Sequence, residues 1–380
     1  MHYSIVQKLK KLDFVILFLL ACFMVISTIV VYSATSGTKL DGLHSDNIKM
    51  YVLSFVVLFL AAFFNYKLLL RYFAYVLYAI GVGLLLYVLL KGVNINNSVR
   101  WIAVGGQQFQ PSELVKIFTV LLLAKLLAGR QGEPLRLRND LLPAGLVTAL
   151  PVVLIMKQPD LGTALVFVAV LIGMLWMANV RLIHILLGAA VITIAVGLVV
   201  WLYYYDFALF SKIIRPHQLR RIETFLNPAA DPQQSWHVLN SIGAISVGQL
   251  AGKGLLQGDF VQNGFIPYHY SDSIFVVIGE EFGFVGSAVL LLCYFLFIYR
   301  MIRIALSCSD LSGAYIVIGI VSMFTLQVFE NIAMHIGLLP LTGISLPFIS
   351  YGGSSLLTYM IAIGLVINVK IHADEPVLPE

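Results

Sequence analysis

Apolar residues in this chain are gathered into long runs, and polar residues into the short stretches between them. Phe14 to Val31 is almost uninterrupted hydrocarbon, and runs of similar length recur to the C-terminal end. Each is close to the roughly 20 residues a helix needs to cross a bilayer. They predict transmembrane helices over 14–32, 50–65, 72–91, 112–128, 141–156, 161–179, 182–205, 273–299, 312–334 and 352–369. The expected fold is therefore an all-α integral membrane protein of about ten spans, one polytopic domain over 1–380. A long polar segment, 206–272, separates spans seven and eight. The first run is too long, and too well continued by later ones, to be a cleaved signal peptide.

The loops between the runs fall into two sets. One holds Lys8, Lys10 and Lys11, then Lys67 and Arg71, Lys125, Arg130, Arg136 and Arg138, Arg181, Arg300 and Arg303, and Lys370. In the short loops of the other set the basic residues are Lys39, Lys49, Lys91, Arg100 and Lys157. Short basic loops face the cytoplasm, so both termini are expected inside. The segments 92–113, 157–160, 206–272 and 335–351 are then expected outside. The stretch Val238 to Leu250 is apolar and its surroundings are rich in glycine, so 206–272 is expected to pack on the bundle as short helices and loops.

Composition agrees. The chain of 380 residues is 60% hydrophobic and 11% charged, with a mean hydropathy of +0.93, against about 25% charged residues in a soluble domain. The net charge of +5 is explained by membrane topology and gives no reason to invoke nucleic acid. Cys22, Cys293 and Cys308 are dispersed and support neither a disulfide framework nor a metal site.

Ionisable groups in or beside spans are costly and usually functional. Arg100-Trp101 leads to Gln110-Pro111-Ser112-Glu113, which opens a span running through Lys116. Pro111 suits a first helical turn, and Glu113 and Lys116, three apart, share a face. They read either as a self-neutralising pair or as the wall of an anion pocket formed with Arg100. Gln158-Pro159-Asp160 opens another span in the same way, with Asp160 as a first-turn residue favoured by the helix dipole or as part of that pocket. Gly352, Gly353 and Ser354 open the last span and expose backbone N–H groups suited to phosphate.

Asp272 stands where the long segment re-enters the membrane, either as a helix cap or as a base with a raised pKa. Glu280, eight residues on, is expected about two turns deeper on nearly the same face, where it needs a partner. No chemistry is assigned to Glu330 and His335. There is no GxxxxGK[ST] and no strand–GxGxxG–helix context, so no nucleotide cofactor is expected. A synthetic reaction outside the membrane needs a substrate that already carries a leaving group. Basic residues and helix N-termini around a carboxylate suit a phosphate or pyrophosphate leaving group and a general base.

Four ordered motifs, NSVRWIAVGGQQFQPSELVKI (97–117), QPDLGTA (158–164), IPYHYSDSIFVVIGEEFGFVG (266–286) and GLLPLTGISLPFISYGGSSL (337–356), resemble the SEDS family (shape, elongation, division and sporulation). The resemblance covers nearly the whole chain and is strongest to members acting in rod-shape elongation. It implies a ten-span peptidoglycan glycosyltransferase that polymerises lipid II on the outer face of the bacterial cytoplasmic membrane. The growing strand is carried on undecaprenyl pyrophosphate, and a class B penicillin-binding protein is the implied partner. The family's essential aspartate falls on Asp272. Its Arg-Trp and Pro-Ser-Glu motifs fall on Arg100-Trp101 and Pro111-Ser112-Glu113, and its acidic pair on Glu280-Glu281. Relatives often read His-Thr-Asp where this chain has Tyr270-Ser271-Asp272. A divalent cation, Mg2+ or Mn2+, is a candidate companion of the leaving group. The rival readings are a lipid II flippase, which predicts polar contacts on both faces and helices broken near the midplane, and a non-catalytic scaffold. A division or sporulation member would carry the same chemistry.

Overall fold

A computed structural model describes residues 5–95, 98–104, 107–206, 210 and 232–373. Its main helices are α1 (Phe14–Thr35), α2 (Leu43–Phe63), α3 (Tyr66–Lys91), α4 (Pro111–Ala128), α5 (Leu137–Lys157), α6 (Leu161–Met177), α7 (Leu182–Tyr205), α8 (Pro232–Gly248), α9 (Ile274–Glu281), α10 (Gly283–Ser307), α11 (Leu311–His335) and α12 (Gly353–His372). Helices stand at all ten predicted positions. Eight of those described are long and apolar enough to cross a membrane. The other two are α4, which carries Glu113, Lys116 and Lys125 in 18 residues, and α6, with 17 residues.

Burial sorts the helices. α4, α11 and α12 bury side chains on every face and form the centre of the bundle, as helices apolar all round do. α7 buries none of its residues and stands free of the bundle. At one end Asp13 ties three elements together. One of its carboxylate oxygens caps α1 at Ile16 N, and the other takes Arg300 of α10 at 2.8 Å and Lys370 of α12 at 2.7 Å. The site described below lies at the opposite end.

At that end the structure adds one feature to the expectations and corrects another. The polar segment after α3, expected outside, is ordered. It forms a small antiparallel sheet, β1 (Val93–Ile95), β2 (Ser98–Val104) and β3 (Gln107–Phe109), with Val93 opposite Trp101 and Ile102 opposite Phe109. Asn97 lies outside the described residues. Secondly, the apolar run predicted as one helix over 273–299 is broken at Phe282-Gly283 into α9 and α10. Gly283 has φ +63°, and a Cβ on it would lie 2.4 Å from Gly252 N. The run must turn here because the 248–252 backbone crosses it. Continuous apolarity hid the break.

The segment 232–272 reaches the bundle through two buried carboxylates. Glu280 accepts from Phe260 N and Val261 N at 2.7 and 3.0 Å. Glu281 accepts from the Ser33 hydroxyl, 2.6 Å at the nearer oxygen, and from Gln262 Nε2 at 3.2 Å. Residues 207–209 and 211–231 lie outside the described set.

Between α11 and α12 a non-helical stretch, 342–351, runs through the packed interior. Such backbone is tolerated at depth only where its polar groups are satisfied. The Pro347, Phe348 and Ile349 carbonyls accept from the Tyr294, Tyr51 and Ser27 hydroxyls. The Phe348 ring sits among Phe23, Phe297, Phe324 and Tyr359 with centroids 5.2–5.6 Å away.

Gly283→Ala is expected to destabilise the protein by about 1–3 kcal/mol, from the positive φ and the backbone clash. Hydrogen exchange should quicken over 248–262 while α11 and α12 stay protected. Wild-type protection of 248–262 would contradict this role for the turn.

Candidate active site

Strand periodicity decides what Arg100 and Trp101 can touch, because neighbours on β2 point to opposite faces. Arg100 turns into the bundle and is buried, whereas Trp101 is half-buried on the other face. The guanidinium holds the turn before α6. Its Nε donates to the Gln158 carbonyl at 3.2 Å, one terminal nitrogen donates to the Pro159 carbonyl, and the other lies 3.4 Å from Asp160. Asp160 also caps α6, accepting from Thr163 N at 3.2 Å. Gln110 Nε2 bridges Asp160 at 3.3 Å and Ser112 Oγ at 3.1 Å. The starts of α4 and α6 are thereby joined. Asp160 is thus the cap of α6, just ahead of the first turn expected for it, and an ion-pair partner of Arg100.

One turn into α4, Lys116 Nζ lies 2.9 Å from Glu113 Oε1, with the ammonium side chain fully buried. It also sits 5.9 Å from the Tyr359 ring centroid. The Tyr359 hydroxyl meets Gln327 Nε2 at 3.3 Å and Ser345 Oγ at 3.1 Å. In this state the pair is self-neutralising, and Lys116 meets an outside anion only by leaving Glu113.

Asp272 lies in the turn ahead of α9. It is not the helix cap, a place taken by Ser273. Its backbone carbonyl is held by Asn331 Nδ2 at 2.7 Å and His335 Nε2 at 2.9 Å, so the Nε2 tautomer of His335 donates. The same Asn331 nitrogen reaches the Ile344 carbonyl at 2.7 Å. On the other flank, Ser350 Oγ donates to the Ser271 carbonyl at 2.6 Å and Tyr351 N to the Tyr270 carbonyl at 3.0 Å. The carboxylate faces Gly343, where a Cβ would come 3.4 Å from Oδ2. Nothing among the described residues hydrogen-bonds that carboxylate. Burial raises its pKa to about 7, with the Arg100 guanidinium pulling it down and the Asp160 charge pushing it up. His237, half-buried, bonds the neighbouring Ser273 Oγ at 3.0 Å and is held below the usual imidazole range by burial.

The structure thus gathers Arg100, Ser112, Glu113, Lys116, Asp160 and Asp272 at one end of the bundle. Gly352, Gly353 and Ser354 stand at its edge, joined to the Asp272 turn through Tyr351. Gly352 has no side-chain cap, so α12 keeps free N–H groups, while the α6 terminus is filled by Asp160. Trp101 faces elsewhere. Glu280 finds its partner in two backbone amides of the 259–262 turn and is not brought to Asp272. Asn331, His335, Gln327 and Glu330 had no assigned chemistry. Their spacing of 3, 4 and 5 residues on one apolar helix was the available signal, and it marks a polar face.

Among the described residues no three His, Cys, Asp or Glu side chains converge to hold a metal ion. The donors present do not form a protein-only cation cage, since Asp160 is committed to Arg100 and Glu113 to Lys116.

A family model described as FTSW_RODA_SPOVE, cell cycle protein, matches residues 8–375. Stage V sporulation protein E of Bacillus subtilis is 38% identical over 76% of this chain and 76% of its own length. The peptidoglycan glycosyltransferase MrdB of Escherichia coli K12 is 32% identical over 95% of this chain and 94% of its own. A chain from a solved peptidoglycan synthase complex, described for coordinating polymerization and crosslinking, superimposes with a TM-score of 0.81. It is 30% identical and covers 96% of this chain and 99% of that one.

The Asp272 carboxyl is expected to titrate near pH 7 in carbon-13 NMR of protein labelled at aspartate. Arg100→Gln removes a nearby positive charge while the Asp160 charge stays, so that titration moves upward. A downward shift, or none, would contradict the coupling.

Proposed function

The chain belongs to the FtsW/RodA/SpoVE family of cell cycle proteins, and from that premise we propose that it is a peptidoglycan glycosyltransferase. It joins lipid II units into glycan strands at the outer face of the bacterial cytoplasmic membrane, with both termini inside. The observation that carries the reading is Asp272, a half-buried carboxylate with no bonded partner. Its pKa of about 7 lets it accept a proton at neutral pH.

The transfer is a single displacement. The acceptor's 4-hydroxyl oxygen attacks C1 of the donor sugar, its proton passes to Asp272, and the C1–oxygen bond to pyrophosphate breaks with the electron pair leaving on oxygen. One base suffices for inversion, whereas retention needs a second carboxylate as nucleophile. Arg100 is already committed to the 158–160 turn, so it acts chiefly by setting the field at Asp272. The anionic leaving group is met by the uncapped N-terminus of α12 and by Lys116 once it turns from Glu113. Any divalent cation used in the reaction would come bound to the pyrophosphate, since the described residues form no protein-only cage for it.

The partner is a class B penicillin-binding protein, supported by the synthase complex whose chain this one resembles. The motifs' resemblance to rod-shape members supports a role in elongation and shape maintenance over division or sporulation. The flippase reading is weakened by the position of the polar cluster, which lies at one end of the bundle.

Purified wild type with its class B partner is expected to polymerise lipid II. Asp272→Ala is expected to lose roughly 10²–10⁴-fold in rate while still binding the partner. Movement of lipid II between leaflets by both proteins, with polymerisation by neither, would replace this reading with the transporter.

A further inference from the structure

Glu330 is the buried charge that neither the fold nor the reaction uses. It lies on α11, 1% exposed, and among the described residues the Thr342 hydroxyl approaches its carboxylate without forming a well-aligned hydrogen bond. That hydroxyl also lies 3.5 Å from Met334 Sδ. Glu330 is pressed against the start of α6, where a Cβ on Gly162 would come 2.7 Å from its Oε1. The charges in its electrostatic reach are Asp160, which repels it, and Lys116, which attracts it.

Asp160 is saturated by Arg100, Gln110 and its own helix. Lys116 is not. An ammonium has three N–H donors, and this one makes a single bond, to Glu113 Oε1, while Glu113 Oε2 also lacks a partner. One buried cation, bonded to Glu113, therefore lies within the field of a second buried carboxylate, and Glu113 Oε2 and both Glu330 oxygens lack a well-aligned hydrogen bond. A buried charge without a partner is a liability that shape-matched neutral residues relieve. Glu330 is not retained for stability.

We propose that Glu330 is a positioning residue of the transfer reaction. It supplies the counter-charge from the α11 side that lets Lys116 leave Glu113 and turn toward the anionic leaving group. This rests on the glycosyltransferase reading above. The two carboxylates act as alternating partners of one lysine: Glu113 holds it in the empty site, and Glu330 holds it during transfer. Without Glu330, the step away from Glu113 takes the ammonium through an apolar interior unpaired.

The test uses the full chain with its class B partner, lipid II as substrate, and thermal unfolding measured beside steady-state polymerisation. Glu330→Gln removes the charge and keeps the shape. Its melting temperature is expected to be unchanged or raised, with kcat down about tenfold and the KM for lipid II little altered. Glu330→Asp, which keeps the charge, should recover part of kcat. In Glu113→Gln/Glu330→Gln the lysine has neither partner, and the loss should exceed the product of the single losses by about tenfold. A lowered melting temperature with activity falling only as folded protein is lost would overturn the proposal, as would multiplicative losses in the double variant. Full activity in Glu330→Gln beside an inert Asp272→Ala rejects this inference alone. A wild type that does not polymerise under these conditions rejects the reading beneath it.

Discussion

The side-chain amide of Asn331 donates to two carbonyls at once, those of Asp272 and Ile344, each at 2.7 Å. That nitrogen joins three parts of the chain far apart in sequence: the turn carrying Asp272, the non-helical stretch through the interior, and the central helix α11. His335, one turn along the same helix, takes the Asp272 carbonyl as well. The clamp acts on the backbone and leaves the carboxylate unbonded. Asp272 is thus fixed in place without a bonded counter-charge, and burial, helped by the Asp160 charge, lifts its pKa against the pull of Arg100. In the proposed reaction a substrate hydroxyl would meet in Asp272 a base that is held in place and near half-ionised at neutral pH.

Around that base, polar groups are paired in some places and left unpaired in others. Arg100 with Asp160, and Asp13 with Arg300 and Lys370, are complete arrangements that join elements together. Glu113 Oε2, both Glu330 oxygens, Gln327 Oε1, Asn331 Oδ1 and His335 Nδ1 are buried without partners. Each such orphan costs about 1–3 kcal/mol or more, so they are not explained by folding. They belong to helix α4, which carries Lys116, and to α11, and the complete pair of Arg100 with Asp160 lies beside them at the same end of the bundle.

Much of this was legible in the chain. Apolar length alone located ten helices, because a run of about 20 hydrocarbon residues has few other folds available to it. Pro111 and Asp160 announced their helix starts through local backbone chemistry. Asp272 stood out as a carboxylate at a polar–apolar boundary. What sequence could not show depended on contacts between distant segments. The break at Gly283 is imposed by the 248–252 backbone crossing it. Glu280 has the residue type and position of a pocket carboxylate, but two amides of the 259–262 turn claim it. The β2 strand reads as a polar loop, yet its pleat sends Arg100 and Trp101 to opposite faces. Glu330 reads as one polar residue on an apolar helix, and only the packed structure shows its carboxylate buried without a well-aligned hydrogen bond.

The central claim is that Asp272, tuned by burial to about 7, takes the acceptor's proton. Its most direct test is the pH dependence of a single turnover, measured with substrate and class B partner both saturating. The account predicts a rate that falls about tenfold per pH unit below about pH 7 and levels off above it. It also predicts that Asp272→Asn leaves only a slow residual rate without this limb. A wild-type rate independent of pH between about 5.5 and 8.5, or an unchanged acid limb in Asp272→Asn, would show that the proton goes elsewhere.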